Sequence, residues 1–291
     1  MAAILLALGS ALLFGAMTVA LRVALRGHPE PDVGAVASTV VAVLVAGIAA
    51  ALEPGTGELA RPRELAVFAL AGLLAPGVSQ IFFVLAVRDA GASRTSVVVG
   101  SAPLFGATLA ILLLAEPFEW PLALGAVLIV AAGLLLVGEA GRPTTFRLAG
   151  VGFALAATVM FSTRDIVVRW YSEEASLGSV EAAAAALAAG ALVMLAWVAV
   201  VRRGAVVAAL ASPALLRFLP AGVLFGLSYV LLFEAYYRGK VTVVSPLVAT
   251  ESLWGVLLAA LLLRRSELVG PRLLLGAALV VAGGALIGAH R

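Results

Sequence analysis

Three charged residues stand inside long apolar stretches of the sequence: Glu251, Arg164 and Asp165. A charge near the centre of a bilayer costs roughly 2.5–3.5 kcal/mol even on permissive insertion scales, so such residues usually face a cavity or one another. Glu251 lies near the middle of its stretch, where packing does not require it. We expect Glu251 to act as a ligand or proton carrier in a cavity, or to form a hydrogen bond between helices as a neutral acid.

Arg164 and Asp165 are adjacent in the sequence. Neighbouring positions on a helix point about 100° apart and do not face each other. We therefore expect each to have its partner on another helix, with Glu234 as the partner of Arg164 or Arg169. Such an ion pair is either structural or a gate that breaks and re-forms.

Arg22 and Arg169 occupy equivalent positions in two similar segments, because Arg22 follows Phe14 at the same spacing at which Arg169 follows Phe161. They are candidates for two symmetric gates, or for contacts to a substrate carboxylate. The alternative is that they snorkel to the membrane interface.

Gln80, Tyr229 and Trp254 are the remaining polar or aromatic candidates for substrate binding near mid-depth, and each could equally serve packing. Pro103 and Pro246 remove a backbone donor and free an upstream carbonyl. Breaks of this kind are tolerated inside a membrane where they line a cavity.

Several kinds of chemistry are disfavoured by what the sequence contains. Cysteine is absent and the two histidines, His28 and His290, stand in a loop and at the C-terminal end, so we expect no metal and no cofactor. No His/Asp or Ser/His pair has a useful catalytic spacing, which argues against an enzyme. The net charge of +3 comes from arginines at the ends of apolar runs. These are typical membrane-interface residues, so we expect no nucleic-acid partner.

Composition identifies the elements that position these residues. Hydrophobic residues make up 63% of the 291 residues and charged residues 12%, with a mean hydropathy of +1.15. Soluble domains carry about 25% charged residues. The sequence therefore predicts an all-α integral membrane protein with the lipid bilayer as its solvent.

Ten apolar runs are long enough to cross a bilayer, which takes about 20 residues. They cover residues 2–25, 33–52, 64–87, 93–115, 121–137, 148–171, 180–201, 214–237, 241–263 and 268–289. The loops are short apart from 202–217, in which we expect residues 204–210 to lie along the membrane surface.

The two halves of the chain share short motifs in the same order. Segment 14–22 resembles 161–169, the Gly-x-Ser at 77–79 resembles that at 226–228, and Glu116 and Glu267 each precede two glycines by equal distances. Five helices per half is an odd number, so the second half must be inverted. We predict two inverted five-helix repeats, residues 1–140 and 141–291. This architecture is frequent in secondary transporters, with substrate bound near the midplane.

These features resemble the EamA-type members of the drug/metabolite transporter (DMT) superfamily. The resemblance rests on the tandem five-helix units, on Phe14-Gly15 in the first helix and on the run from Pro103 to Glu116. The second unit departs from this pattern around Glu251. The resemblance implies a central cavity, alternating access and export of amino acids or other small metabolites across the bacterial inner membrane. It also implies cytoplasmic termini, although the positive-inside rule favours the opposite orientation.

Three functions follow as hypotheses. In the first, the protein exports a small polar, amino-acid-like metabolite, with Glu251 and Asp165 supplying negative charge or proton coupling and the arginines orienting a carboxylate. The second is efflux of cationic or lipophilic drugs, which Arg164 disfavours. The third is a non-transporting membrane protein. The expected partners are a small-molecule substrate and the bilayer, and nothing in the sequence requires more than a monomer.

Overall fold

A computed structural model of the chain describes residues 1–27, 31–53, 62–114, 120–137, 146–201, 215–239, 241–263 and 268–289. All regular structure in these residues is helical. The α-helices are α1 (Ala2–Gly27), α2 (Pro31–Leu52), α3 (Pro62–Gly72), α4 (Ser79–Ala90), α5 (Ala92–Val99), α6 (Ala102–Leu114), α7 (Trp120–Val137), α8 (Ala149–Ser172), α9 (Ser179–Val201), α10 (Leu215–Arg238), α11 (Val241–Val248), α12 (Glu251–Leu262) and α13 (Pro271–Ala289).

Seven helical segments of the described chain are long and apolar enough to cross a membrane. They are Ala2–Gly27, Pro31–Leu52, Pro62–Ala90, Ala149–Ser172, Ser179–Val200, Leu216–Arg238 and Val243–Leu262. This confirms a multi-pass helical membrane protein. The surface segment predicted at 204–210 lies outside the described residues, as do Glu116 and Glu267.

Two of the predicted spans are each interrupted by a short turn. The run at 93–115 breaks between α5 and α6, where the Ser101 N–H donates to the Val98 carbonyl at 3.0 Å. The run at 241–263 breaks between α11 and α12, where the Thr250 N–H donates to the Leu247 carbonyl at 3.1 Å. Pro103 is the second residue of the helix after the first break, and Pro246 lies inside the helix before the second. The missing N–H of Pro103 leaves the carbonyl four residues upstream, at the end of α5, without its helical partner, which favours the first break.

A third irregularity joins α3 to α4. The segment Leu73–Val78 is a π-helical turn that contains Pro76, and Ala75 has non-helical backbone angles (φ −140°, ψ 113°). The Ala75 carbonyl is therefore turned away from the helix and is available to another side chain.

Helices of the first half pack mainly against helices of the second half. The α1 helix contacts α10, α11 and α12, and α8 contacts α4, α5 and α6. Further pairs cross between the halves, among them α2 with α9 and α10, α5 with α12, and α7 with α13. The α7–α13 contact is very close, because a Cβ atom on Gly283 would lie 2.6 Å from the Gly125 carbonyl oxygen. Small residues at such contacts are typical of helices that associate in membranes.

Candidate functional site

A cavity lies where α1, α8 and α10 meet the two helix breaks. Its charged and polar lining residues come from both halves of the chain: Ser10, Arg164, Asp165, Ser228, Tyr229 and Glu251. Two aromatic residues, Phe14 and Phe161, form part of its apolar wall. The cavity has a volume of about 30 Å³. That volume holds only a few water molecules.

Arg164 and Asp165 form an ion pair with each other, so the prediction that these neighbours do not pair is wrong, although each also has a tyrosine partner on α10. Arg164 Nε donates to Asp165 Oδ1 at 2.8 Å, and Nη2 lies 2.7 Å from the same oxygen. The Cβ atoms do diverge, but the arginine side chain is long enough to bend back to its neighbour. Arg164 is buried, with 4% of its surface exposed. Burial favours this pairing because two separate unpaired charges would be far more costly.

Aromatic residues fix the other edge of the Arg164 guanidinium. Its Nη1 donates to the Tyr229 hydroxyl, and the Tyr229 hydroxyl donates to the Ala75 carbonyl at 2.8 Å. The guanidinium carbon lies 4.7 Å from the Tyr229 ring centroid and 5.5 Å from that of Phe161, within the range of cation–π attraction. The turned carbonyl of Ala75 thus positions Tyr229, which positions Arg164.

Some N–H donors of Arg164 have no partner in the described chain. A guanidinium has five N–H donors, and three of those on Arg164 meet Asp165 or Tyr229 within the described residues. Two N–H groups remain for a ligand. Asp165 also has a second partner, because the Tyr236 hydroxyl forms a hydrogen bond with its carboxylate.

Glu251 is the first residue of α12 and is buried, with 6% of its surface exposed. Within the described parts of the chain its carboxyl group makes no hydrogen bond or ion pair, although it interacts electrostatically with Asp165 and Arg164. Because its carboxyl group has no partner in the described chain, Glu251 is available to a ligand or a proton.

Ser10 and Ser228 connect the two halves at the cavity. Each hydroxyl donates to the main-chain carbonyl of the other residue, at 2.9 Å and 3.0 Å. Neither serine was proposed as a site residue, although Ser228 belongs to the repeated Gly-x-Ser motif at 226–228. Phe14 and Phe161 were also not proposed as lining residues, although both begin the repeated segments that we identified.

Arg22 and Arg169 both contact the carboxyl end of another helix. Arg22 Nη1 donates to the carbonyls of Val87 (3.0 Å) and Arg88 (2.7 Å) near the end of α4. Arg169 Nη1 donates to the Tyr236 carbonyl (3.2 Å) near the end of α10. Neither arginine lines the cavity. Cations at these positions are stabilised by the partial negative charge at the carboxyl end of a helix.

Glu234 does not pair with the arginines of α8, so that prediction is wrong. It accepts a hydrogen bond from Arg238 Nε at 2.6 Å and another from the Ser179 hydroxyl. Arg238 lies one turn further along the same helix, which makes it the nearer partner. Arg169 pairs with Glu173 for the same reason.

Two predicted substrate-binding residues lie away from the cavity. Gln80 is fully buried and donates to the Ser38 hydroxyl at 3.3 Å. Trp254 is partly exposed, and its Cβ atom lies beside Gly15 where α12 crosses α1. Neither residue contributes to the cavity lining.

These observations define a multi-pass membrane protein with a charged cavity between helices of its two halves. The sequence matches the model of the EamA-like transporter family over residues 1–138 and 148–289. The chain belongs to this family, which is part of the DMT superfamily. Membership favours a transporter over an enzyme.

Among solved structures, 17 chains match the fold of this chain. One crystal structure of a protein resembles this chain with a TM-score of 0.61 at 22% sequence identity, over 98% of this chain and 95% of the other. That similarity concerns the fold. Among curated proteins, none matches the sequence.

Proposed function

We propose that the protein is a secondary active transporter that exports small zwitterionic metabolites of the amino-acid type across the bacterial inner membrane. One observation carries this proposal: the cavity combines a guanidinium that has two open N–H donors with Glu251, a carboxyl group that has no partner in the described chain. A zwitterion presents a carboxylate to the Arg164 guanidinium and an ammonium group to Glu251. Charge-assisted hydrogen bonds of both kinds are strong in a site that excludes water.

The helix contacts support ten spans in two inverted units. The contacts of α1 with α10 and α12 correspond to those of α8 with α4 and α5–α6. The two segments that the family model matches also have similar lengths. Inverted repeats of this kind place the substrate site where the halves meet.

The size of the cavity supports alternating access. A volume of about 30 Å³ is too small for an amino acid, so the helices must separate to admit one. The breaks at Gly100-Ser101 and Ala249-Thr250 lie beside the cavity and interrupt two opposing spans. Such breaks provide places where helix halves can reorient. Their position supports movement of the surrounding segments during each cycle.

The alternative of cation efflux fits the cavity less well. A cationic drug would stand beside Arg164, and like charges at short range repel strongly in a medium of low dielectric constant. Asp165 cannot compensate fully, since it already pairs with Arg164.

Flux into proteoliposomes tests the proposal. We expect wild-type protein to move radiolabelled amino acids under an imposed pH gradient, and Glu251→Gln to abolish this flux while expression and folding are unchanged. Glu174→Gln is the matched control, because Glu174 is exposed in the segment after α8. Unaltered flux in Glu251→Gln, or no flux for any amino acid with wild-type protein, would overturn the proposal.

A further inference from the structure

Arg164 also lines a second cavity, which has a volume of about 250 Å³ and lies between α3 and α8. Every other lining residue is apolar: Val67, Leu70, Ala71, Leu74 and Val167. We call this second cavity the lateral groove. One buried arginine therefore stands between a small polar cavity and a much larger apolar groove.

One wall of the lateral groove, formed by Leu70, is exposed on a helical segment that is long and apolar enough to cross a membrane. Leu70 is 65% exposed and Leu73 is 41% exposed. Both lie in the interior of the span Pro62–Ala90. Side chains exposed at that depth contact lipid chains. An arginine at the wall of such a groove is costly against hydrocarbon alone, and a polar group placed beside it relieves that cost.

We infer that the lateral groove binds an amphiphile dissolved in the bilayer, namely a long-chain carboxylate. Its chain lies along the apolar residues and its head reaches Arg164. Hydrogen-bond complementarity selects a carboxylate, because Arg164 is the polar residue among the described lining residues, and two of its N–H donors are left open by its contacts in the described chain. A guanidinium is also the side chain best suited to a carboxylate. A cationic or uncharged amphiphile lacks this contact.

This inference goes beyond the proposed export of small metabolites and requires neither export nor proton coupling. The two ligands share Arg164. A long-chain carboxylate therefore competes with a small substrate for the same guanidinium.

Photocrosslinking tests the chain-binding part of the inference. The full-length protein in nanodiscs of zwitterionic lipid is incubated with a fatty acid that carries a diazirine at mid-chain. We expect labelling on the peptides of α3 and α8, and Leu70→Trp, which fills the lateral groove, lowers it by about tenfold. Leu44→Trp is the matched control because Leu44 is 59% exposed on α2, and it leaves labelling unchanged. Equal labelling of both variants overturns the inference.

Competition tests recognition of the head. The unlabelled acid displaces the probe, and we expect the alcohol of the same chain length to be about tenfold weaker, the loss of one charge-assisted contact. Arg164→Lys, which keeps the charge, retains a preference for the acid, and the double variant Arg164→Gln with Asp165→Asn, which leaves no unpaired buried charge, loses it. Equal displacement by acid and alcohol with wild-type protein overturns the inference.

Amino-acid flux measured on the same preparations separates this inference from the proposed function. Absent labelling with normal flux overturns the lateral site alone. Saturable labelling of the lateral groove without amino-acid flux overturns the export proposal alone.

Discussion

Phe14 and Phe161, which occupy equivalent positions of the proposed repeat, pack against each other edge to face. Their ring centroids are 6.0 Å apart, and the rings are inclined by 88°. Both rings also line the cavity. When equivalent residues of two units touch, the pseudo-two-fold axis passes between them. The axis of the proposed repeat therefore runs through the wall of the cavity.

This contact gives the first prediction. An aromatic pair contributes about 0.5–1.5 kcal/mol beyond its buried area, so a double-mutant cycle of Phe14→Leu and Phe161→Leu should give a coupling energy in that range. We expect the same variants to raise the KM for amino acids. Phe82→Leu and Phe153→Leu are controls, because these rings stack at 6.0 Å away from the cavity. They should lower the free energy of unfolding without changing KM.

Ser10 and Ser228 give the second prediction. Each hydrogen bond between membrane helices contributes about 0.6 kcal/mol, and up to about 1.7 kcal/mol. Ser10→Ala should therefore lower stability by about 1 kcal/mol, and Ser228→Ala by a similar amount, because each substitution removes a different hydrogen bond to a main-chain carbonyl. Thr108→Ala is the control, because in the described chain the Thr108 hydroxyl donates within its own helix, to the Leu104 carbonyl. A double variant that is no less stable than either single variant, measured by unfolding in detergent, would contradict two separate hydrogen bonds.

Arg164 gives the third prediction. Removing a charge-assisted contact to a carboxylate costs about 1.5–3 kcal/mol, so Arg164→Lys, which loses the planar fork, should lower kcat/KM for amino acids by at least about tenfold. Arg164→Ala leaves Asp165 buried without its partner and tends to unfold the protein. The double variant Arg164→Gln with Asp165→Asn avoids this problem, and we expect it to fold without transporting amino acids.

The same variants decide between the two kinds of substrate. If the protein exported cationic drugs, removal of Arg164 would spare or improve their efflux, since it removes a repulsive charge. Parallel assays of a zwitterion and a lipophilic cation on the double variant make this comparison. Loss of both activities with retained folding would indicate a general role of the ion pair in the transport cycle.

Close packing of α7 against α13 gives the fourth prediction. Gly283→Ala places a Cβ atom 2.6 Å from the Gly125 carbonyl oxygen, so the helices must move apart at a cost of about 1–3 kcal/mol. Gly152→Ala is the control, because no atom lies within 4 Å of its Cβ position. We expect Gly152→Ala to be neutral or slightly stabilising, since alanine favours a helix. Thermal midpoints in one detergent compare the two variants.

The membrane class, the helical runs and the place of Arg164, Asp165, Glu251 and Tyr229 at a cavity could be predicted because each rests on local properties. Hydropathy indicates the length of a membrane span. A charge inside an apolar run stands out because placing it in the membrane is energetically costly. The partners of Glu234 and Arg169 could not be predicted in this way. Side-chain pairing depends on the rotation of each helix about its axis and on side-chain reach, and neither quantity is encoded by spacing alone.

Membership of the EamA-like family could also be recognised from the sequence, because the repeated motifs extend over the whole chain. The lateral groove could not be predicted from the sequence. Its residues Val67, Leu70 and Val167 are ordinary apolar residues of their helices. Only the packing of α3 beside α8 brings them next to an arginine.

The ion pair between Arg164 and Asp165 has an electrical consequence. Both charges belong to α8 and are joined at 2.7 Å, so any displacement of this helix carries them together and moves no net charge through the membrane potential. Of the charged residues lining the cavity, only Glu251 is not balanced in this way. A unit charge that crosses the full potential gains about 2.3 kcal/mol per 100 mV. The voltage dependence of the empty carrier should therefore report whether Glu251 holds a proton.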